Sequence, residues 1–389
     1  MKTSNVRIFV TTSHISTAYM VMLAKATKKD GDTDILLIDT GFRRPELLRL
    51  IEETASFHEW DHFSSFSEPT SPEHDFKPGW RKRWTRKIKA WPLVKGFYDR
   101  SLKRYMQVRD QSYRTKLSAL LEKWTKNVNC RIEICAMTQT YLNRPLGQLF
   151  PDASIKYAEH GIGDYYIVFE KDFVHQELFC VFAEPYKRYL EEKKIATGWV
   201  KQLPGVSDFQ TFAKQLLDKH SATINASQLA SPVKPIIFIL LEAVDMYHVS
   251  DDFWTDYPQH IIDHISEPEK YHYILKPHPM HSRHSLEKTS AFFKRSGLDH
   301  TLLANDEWSS CSAEIMFAKW ADRTERVYCL FSSGCFYLSQ LYTGRNITFH
   351  YSTAFFSRYS ENAPLQYAEF YKGLRPLIEH VFAEKCSAY

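Results

Sequence analysis

Val6-Arg7-Ile8-Phe9-Val10, the span Thr17 to Lys28, and Asp34-Ile35-Leu36-Leu37-Ile38 decide the fold class of this 389-residue chain. The two apolar runs are short enough for buried strands, and the span between them has helical composition. A strand, a helix and a second strand in that order imply a βαβ unit and a parallel sheet. Ile236 to Leu241 repeats the signal far downstream, after a polar stretch, 220–235, that ends Ser231-Pro232-Val233-Lys234-Pro235. That stretch suits an interdomain linker.

Working outward, the first half continues with an irregular insertion expected over about 52–80, rich in aromatics, His, Ser and Pro. Residues 92–126 read as one or two long amphipathic helices carrying Leu93, Phe97, Leu102, Tyr105, Leu117, Leu120 and Leu121. A strand over Arg131 to Ala136, a short helix over 144–150 and a strand over Ile155 to Ala158 follow. In the second half, helices are expected near 257–266, 284–296, 312–320 and 334–342. They alternate with strands at Tyr271 to Leu275, 301–304, Val327 to Phe331 and Asn346 to His350. An amphipathic helix over 364–383 closes the chain. The expected domains are 1–225 and 235–365, with 366–389 as a helix packing back on the first. The fold class is α/β: two Rossmann-like domains facing across a cleft.

Bulk properties narrow the function classes. The chain is 44% hydrophobic and 25% charged, ordinary for a folded soluble protein. It opens on a strand-like run, so no secretory signal is expected, and no run of about 18 apolar residues predicts a membrane span. The seven cysteines, at 130, 135, 180, 311, 329, 335 and 386, form no CxxC pair. They read as reduced core residues of a cytoplasmic protein. Net charge is +4, yet residues 77–104 hold 11 Lys and Arg against Asp99 alone, interleaved with Trp80, Trp84, Trp91, Phe97 and Tyr98. Two readings stay open: a solvated helical face, or a surface for an anionic partner such as a charged polysaccharide, lipid headgroups or nucleic acid.

Three segments at expected strand ends carry chemistry: Glu159-His160-Gly161-Ile162-Gly163-Asp164-Tyr165, Lys276-Pro277-His278-Pro279 and Phe331-Ser332-Ser333-Gly334. Open α/β sheets build ligand sites at strand ends. Ser332 and Ser333 open a helix, where hydroxyls and free N–H groups bind anions; they also suit a plain N-cap. His278 is braced by two prolines and could donate to charge building on a leaving phosphate. His281 and His284 follow it, but no acid or cysteine with ligand spacing accompanies them, so no metal is expected. Glu159 could take a proton from a hydroxyl, or simply cap a turn. The two following glycines lack the third glycine and the context of a dinucleotide fingerprint.

In order, these segments resemble the bacterial sialyltransferases and polysialyltransferases of the GT-B type. That family shows D/E-D/E-G, extended as D/E-D/E-G-x-G-x-Y, then H-P, then a serine pair. Glu159, Gly161, Gly163 and Tyr165 match the extended first motif, His278-Pro279 the second and Ser332-Ser333 the third. The resemblance rests on roughly 15 residues spread over about 175. It implies an inverting transfer of sialic acid, or a related nonulosonate, from its CMP-activated form to a glycan hydroxyl, with no cofactor and no metal. By the same resemblance Glu159 is the base, His278 and Pro279 form the phosphate loop, and Ser332 and Ser333 hold the phosphate. Gly161 lines the substrate, and Glu314, 18 positions before Ser332, holds the cytidine ribose. His160 stands where the family has its second acid, which bears on acceptor identity.

With the basic segment, the resemblance implies a polysialyltransferase of capsule or lipooligosaccharide synthesis, acting on an anionic polymer or glycolipid. The protein would be cytoplasmic and peripheral on the inner membrane face through 77–104, with no nucleic acid expected as partner. Two rivals remain: a CDP-glycerol or CDP-ribitol polymer phosphotransferase, and a non-enzymatic polyanion-binding protein on a transferase scaffold.

Overall fold

The computed structural model describes the chain outside residues 1–4, 40–44, 67–91, 126–129, 139, 141, 168–175, 221–231, 242–250, 279–280, 305, 331, 353–354, 356–371 and 383–384. Two compact units divide it: residues 1–48 with 56–158, and 49–55 with 159–389.

In the first unit, β1 (Asn5–Thr11), β2 (Thr33–Asp39), β3 (His62–Phe66), β4 (Arg131–Met137) and β5 (Ser154–Ala158) lie in the order β3-β2-β1-β4-β5, all parallel. β1 pairs on both sides, Ile8 facing Ile35 of β2 and Ile134 of β4. Strands covered on both faces read as continuous apolar runs, which is why β1 and β2 were visible in the sequence. Helix α1 (His14–Thr27) begins with a capping box between Ser13 and Ser16. Helix α2 (Pro45–Ala55) follows β2. The long stretch after the insertion is one helix, α3 (Pro92–Thr125). Its Tyr113, Leu117 and Leu121 fall four apart and bury against Val6, Ile8, Ile35 and Ile134. Helix α4 (Asn143–Leu149) connects β4 to β5.

One correction concerns the region expected to be irregular. Residues 62–66 form β3, an edge strand paired in register with β2. Its residues alternate between half-buried and exposed, as an edge strand covered on one face does. The basic segment up to residue 91 lies outside the described residues, as does most of the expected linker.

The second unit contains helix α5 (Gly163–Ile167), then β6 (Glu177–Cys180), α6 (Ala183–Glu192), β7 (Val200–Gln202) and α7 (Phe209–His220). The sequence reading assigned no strand or helix to 177–220. β6 and β7 pair in parallel. The larger sheet here has six parallel strands in the order β10-β9-β8-β11-β12-β13, made of β8 (Ile236–Leu241), β9 (His272–Pro277), β10 (His300–Leu302), β11 (Thr324–Cys329), β12 (Thr348–Tyr351) and β13 (Cys386–Ala388). β8 is wholly buried, with Ile239 facing Leu275 of β9 and Tyr328 of β11. Helices α8 (Phe253–Ile262) and α9 (Arg283–Arg295) cover one face, where Phe253, Trp254, Tyr257 and Phe293 pack on Ile237, Ile239 and Leu275. Helices α10 (Asp306–Ser310), α11 (Ala313–Met316) and α12 (Ser333–Leu341) complete the unit.

The closing helix is described from residue 372. It is α-helical to 377, and Ile378–Phe382 form a wider π turn. β13 then joins the sheet as an added edge.

The chain leaves β8 towards β9 and β10 on one side, then returns to build β11, β12 and β13 on the other. That reversal opens a crevice at the carboxyl ends of β8 and β11, the usual ligand position in such sheets.

Candidate active site

Two of the three sequence segments end strands of this six-stranded sheet. Ser332 is the N-cap of α12, yet its hydroxyl makes no capping bond. Its carbonyl instead accepts from the Cys335 N–H at 3.1 Å. The N–H groups ahead of Cys335 in the first turn have no acceptor within the helix, so the half-buried Ser332 and Ser333 stand at a ready anion site.

Glu314 is buried in the first turn of α11, at a helix start as the sialyltransferase resemblance implies for it. A methyl group built on Gly334 would lie 3.5 Å from Ser332 Oγ and 3.6 Å from Glu314 Oε1. The carboxyl and the serine hydroxyl therefore meet around one backbone position. Burial is the largest influence on Glu314 and raises its pKa, opposed by the positive charge of Lys276. Tyr342, just past the end of α12, donates its hydroxyl to the Glu314 carbonyl at 2.8 Å and locks α11 to α12.

Lys276 is a functional group that the sequence reading treated only as part of a motif. Its side chain turns inward, almost fully buried, and Nζ donates to the carbonyls of Pro277 at 2.8 Å and Ser309 at 3.1 Å. Burial pushes its pKa down to about 8, with the neighbouring Cys311 and Glu314 acting in the opposite direction. A lysine ending an apolar strand was the available signal.

His278 follows β9. Its N–H donates to Leu241 O at 3.2 Å and its carbonyl accepts from His281 N–H at 3.0 Å, which fixes the loop against β8. The residue is exposed on that loop. The surrounding protein, then Lys276, then His281 lower its pKa. Solvent tempers the first effect, but all three act in one direction, towards a neutral imidazole at pH 7. Pro279 lies outside the described residues.

The first segment has a different character. Glu159 is fully buried. One carboxylate oxygen accepts from the Val181 N–H, and the other accepts from the Tyr165 and Tyr337 hydroxyls, the latter at 3.1 Å. Around it Tyr165 packs edge-on against Tyr186 and Phe382, and Phe182 lies 5.5 Å from Tyr337 between ring centroids. Desolvation in this aromatic shell is the leading influence and raises the Glu159 pKa to about 8, although its three hydrogen bonds pull the other way. The carboxyl is enclosed by protein and faces no solvent. The loop after it is clamped by Asp164, which is buried and accepts from the His160 and Gly161 N–H groups, the latter at 3.1 Å. His160 is half-buried, and Gly161 faces open space. Asp164 and Tyr337 were missed as site residues. Nothing local marks Tyr337, which meets Glu159 across 178 positions.

The structure thus gathers Lys276, Glu314, Ser332 and Gly334 into one cluster, with His278 on the loop leading out of β9. Glu159 belongs to an aromatic node attached to the same α12 through Tyr337.

No protein-family model matches the chain, and no curated protein sequence matches it significantly. Among solved structures it resembles UDP-GlcNAc 2-epimerase from Methanocaldococcus jannaschii, over 99% of this chain and 88% of that one, at 12% identity and a TM-score of 0.53. The same enzyme in complex with UDP-GlcNAc and UDP aligns over 90% and 83%, at 11% identity and a TM-score of 0.50. A glycosyltransferase from Rickettsia africae ESF-5 aligns over 90% and 80%, at 11% identity and a TM-score of 0.46. The two halves are Rossmann-like units of the GT-B class. At these identities the likeness speaks to the fold.

Proposed function

We propose that this protein is a glycosyltransferase that moves sialic acid or a related nonulosonate from a CMP-activated donor to a glycan hydroxyl. The observation that carries the reading is that Glu314 and Ser332 both flank Gly334 at the N-terminus of α12, on the carboxyl edge of the six-stranded sheet. A ribose hydroxyl suits the carboxylate, and a phosphate suits the serine and the helix end. The acceptor oxygen bonds to the anomeric carbon while the bond from that carbon to the phosphate oxygen breaks, CMP leaves with the electron pair, and the acceptor hydroxyl's proton passes to water. His278 and the serines would stabilise the charge gathering on that phosphate. The ordered motifs shared with the sialyltransferases support the donor class. The basic segment 77–104 supports an anionic acceptor or a membrane surface, with capsule or lipooligosaccharide polymers as the class.

A second reading is favoured by the fold likeness. Two of the matching structures, each with a TM-score of at least 0.5, are of an enzyme named for UDP-GlcNAc, so a UDP-sugar epimerase chemistry is the competitor. A thermal-shift panel of CMP, CDP, UMP, UDP and GDP separates the two. A ligand at about 100 times its Kd stabilises by roughly 2.7 kcal/mol. A preference for CMP, followed by turnover of CMP-sialic acid, supports the transferase. A preference for UDP, with isomerisation of UDP-GlcNAc, overturns it in favour of the epimerase.

A further inference from the structure

We propose that Glu159 is a positioning residue: its carboxyl, shared between Tyr165 and Tyr337, holds the first turn of α12 and the Ser332–Ser333 loop in register with the loop 159–165. The anion is taken to be a nucleotide phosphate on the reading above, but the mechanical role stands on the geometry alone.

Tyr337 and Ser333 are four residues apart in a nine-residue helix, so they lie one turn apart on the same side. A shift of Tyr337 therefore moves the serine loop with it. Tyr337 is buried, its ring packs on Phe182, and its hydroxyl donates to Glu159. The other Glu159 oxygen takes the Val181 N–H, and the Glu159 N–H donates to Phe179 O at 3.0 Å. The carboxyl is thus fixed from β6 and its following turn, and α12 is fixed to the carboxyl. Tyr165 completes the link, because its hydroxyl both donates to Glu159 and accepts from the Phe182 N–H at 3.2 Å. The titratable groups facing the carboxyl are Asp164 and Tyr165 from α5, Cys180 from β6 and Tyr337 from α12. Among the described residues this set holds no cation, so the carboxyl keeps a proton more tightly than an ordinary glutamate, with one tyrosine hydroxyl turned to accept it; held in this way it is a good structural anchor and a poor base. Reaching an acceptor hydroxyl would require Tyr165 and Tyr337 to release it.

The experiment uses Tyr337→Phe, which removes one hydroxyl and keeps the ring, and Glu159→Gln, alone and combined. Three readouts are compared: hydrogen exchange of the hydrogen-bonded amides of residues 335–338 against those of α8, affinity for inorganic phosphate and CMP, and kcat and KM for donor turnover. Each single variant is expected to speed exchange in α12 selectively and to weaken anion affinity about fivefold, the loss typical of one hydrogen bond. The double variant should be no worse than the more severe single, since both cut one link. The proposal is overturned if Glu159→Gln abolishes transfer while α12 exchange and anion affinity stay at wild-type values and Tyr337→Phe is silent; Glu159 would then act on the acceptor. If wild type binds phosphate but not CMP while the exchange changes still appear, the donor assignment falls and the positioning role stands.

Discussion

The buried carboxyl of Glu159 makes a testable demand on stability. In the unfolded chain a glutamate titrates near 4.5, and in the aromatic node its pKa rises to about 8. The folded state therefore holds the proton more tightly. Its contribution to stability is complete below pH 4.5 and is lost as pH rises towards 8. The loss is at most about 1.4 kcal/mol per pH unit across that window. Glu159→Gln keeps the shape, offers its carbonyl oxygen to the Val181 N–H, and does not titrate. The difference in stability between the two proteins cancels the other titrating groups, including Asp34 and Glu314, which shift in opposite directions. Glutamine should thus gain on wild type by about 1 kcal/mol per pH unit from pH 5.5 to 7.5 and gain nothing further above about pH 8.5. In a thermal melt this is a relative Tm shift of roughly 1 °C per pH unit. Melting curves at pH 5.5, 6.5, 7.5 and 8.5 suffice. Parallel Tm profiles for the two proteins across this range would refute the argument, because they would mean an ionised, hydrated carboxylate at position 159.

Three further outcomes are expected. His278→Ala should lower donor turnover by about 100- to 1,000-fold, the usual cost of one preorganised donor, with Tm unchanged, since the side chain is exposed; a normal rate would remove His278 from the phosphate site. Lys276→Met and Glu314→Gln should each destabilise the protein, because each strands an opposite charge in one buried pocket. The double variant should cost less than the two singles together by at least about 1 kcal/mol, and additive denaturation midpoints would show that the two charges do not interact. Reversing Arg81, Arg83, Arg86 and Lys87 to Glu should raise KM for a long anionic acceptor or release the protein from anionic vesicles, more so at low salt. Donor hydrolysis without acceptor should not change, and unaltered acceptor kinetics and vesicle binding would identify a solvated face.

Much of the scaffold was legible because its signals are local. β1, β2 and β8 are continuous apolar runs buried on both faces, and the four-residue spacing of Tyr113, Leu117 and Leu121 exposes the buried stripe of α3. The resemblance implied Glu314 at a helix start, and the local strand-then-helix signal of 327–342 implied Ser332 before α12. β3 and β13 were missed: each is short and lies at a sheet edge, where half the residues face water and the apolar run disappears.

What the chain alone determined is the alternation of elements and the order of three chemistry-bearing segments. What it could not determine is the environment of each side chain. Glu159 looked like a carboxylate at an open turn; Val181, Tyr165 and Tyr337 together make it an enclosed acid. Lys276 was only the first residue of a motif; the carbonyls of Pro277 and Ser309 and the nearby Glu314 make it an internal cation. Desolvation depends on atoms that arrive from distant parts of the chain. Periodicity records which face of an element is buried, but only the tertiary structure decides which polar groups are buried with it, and beside what.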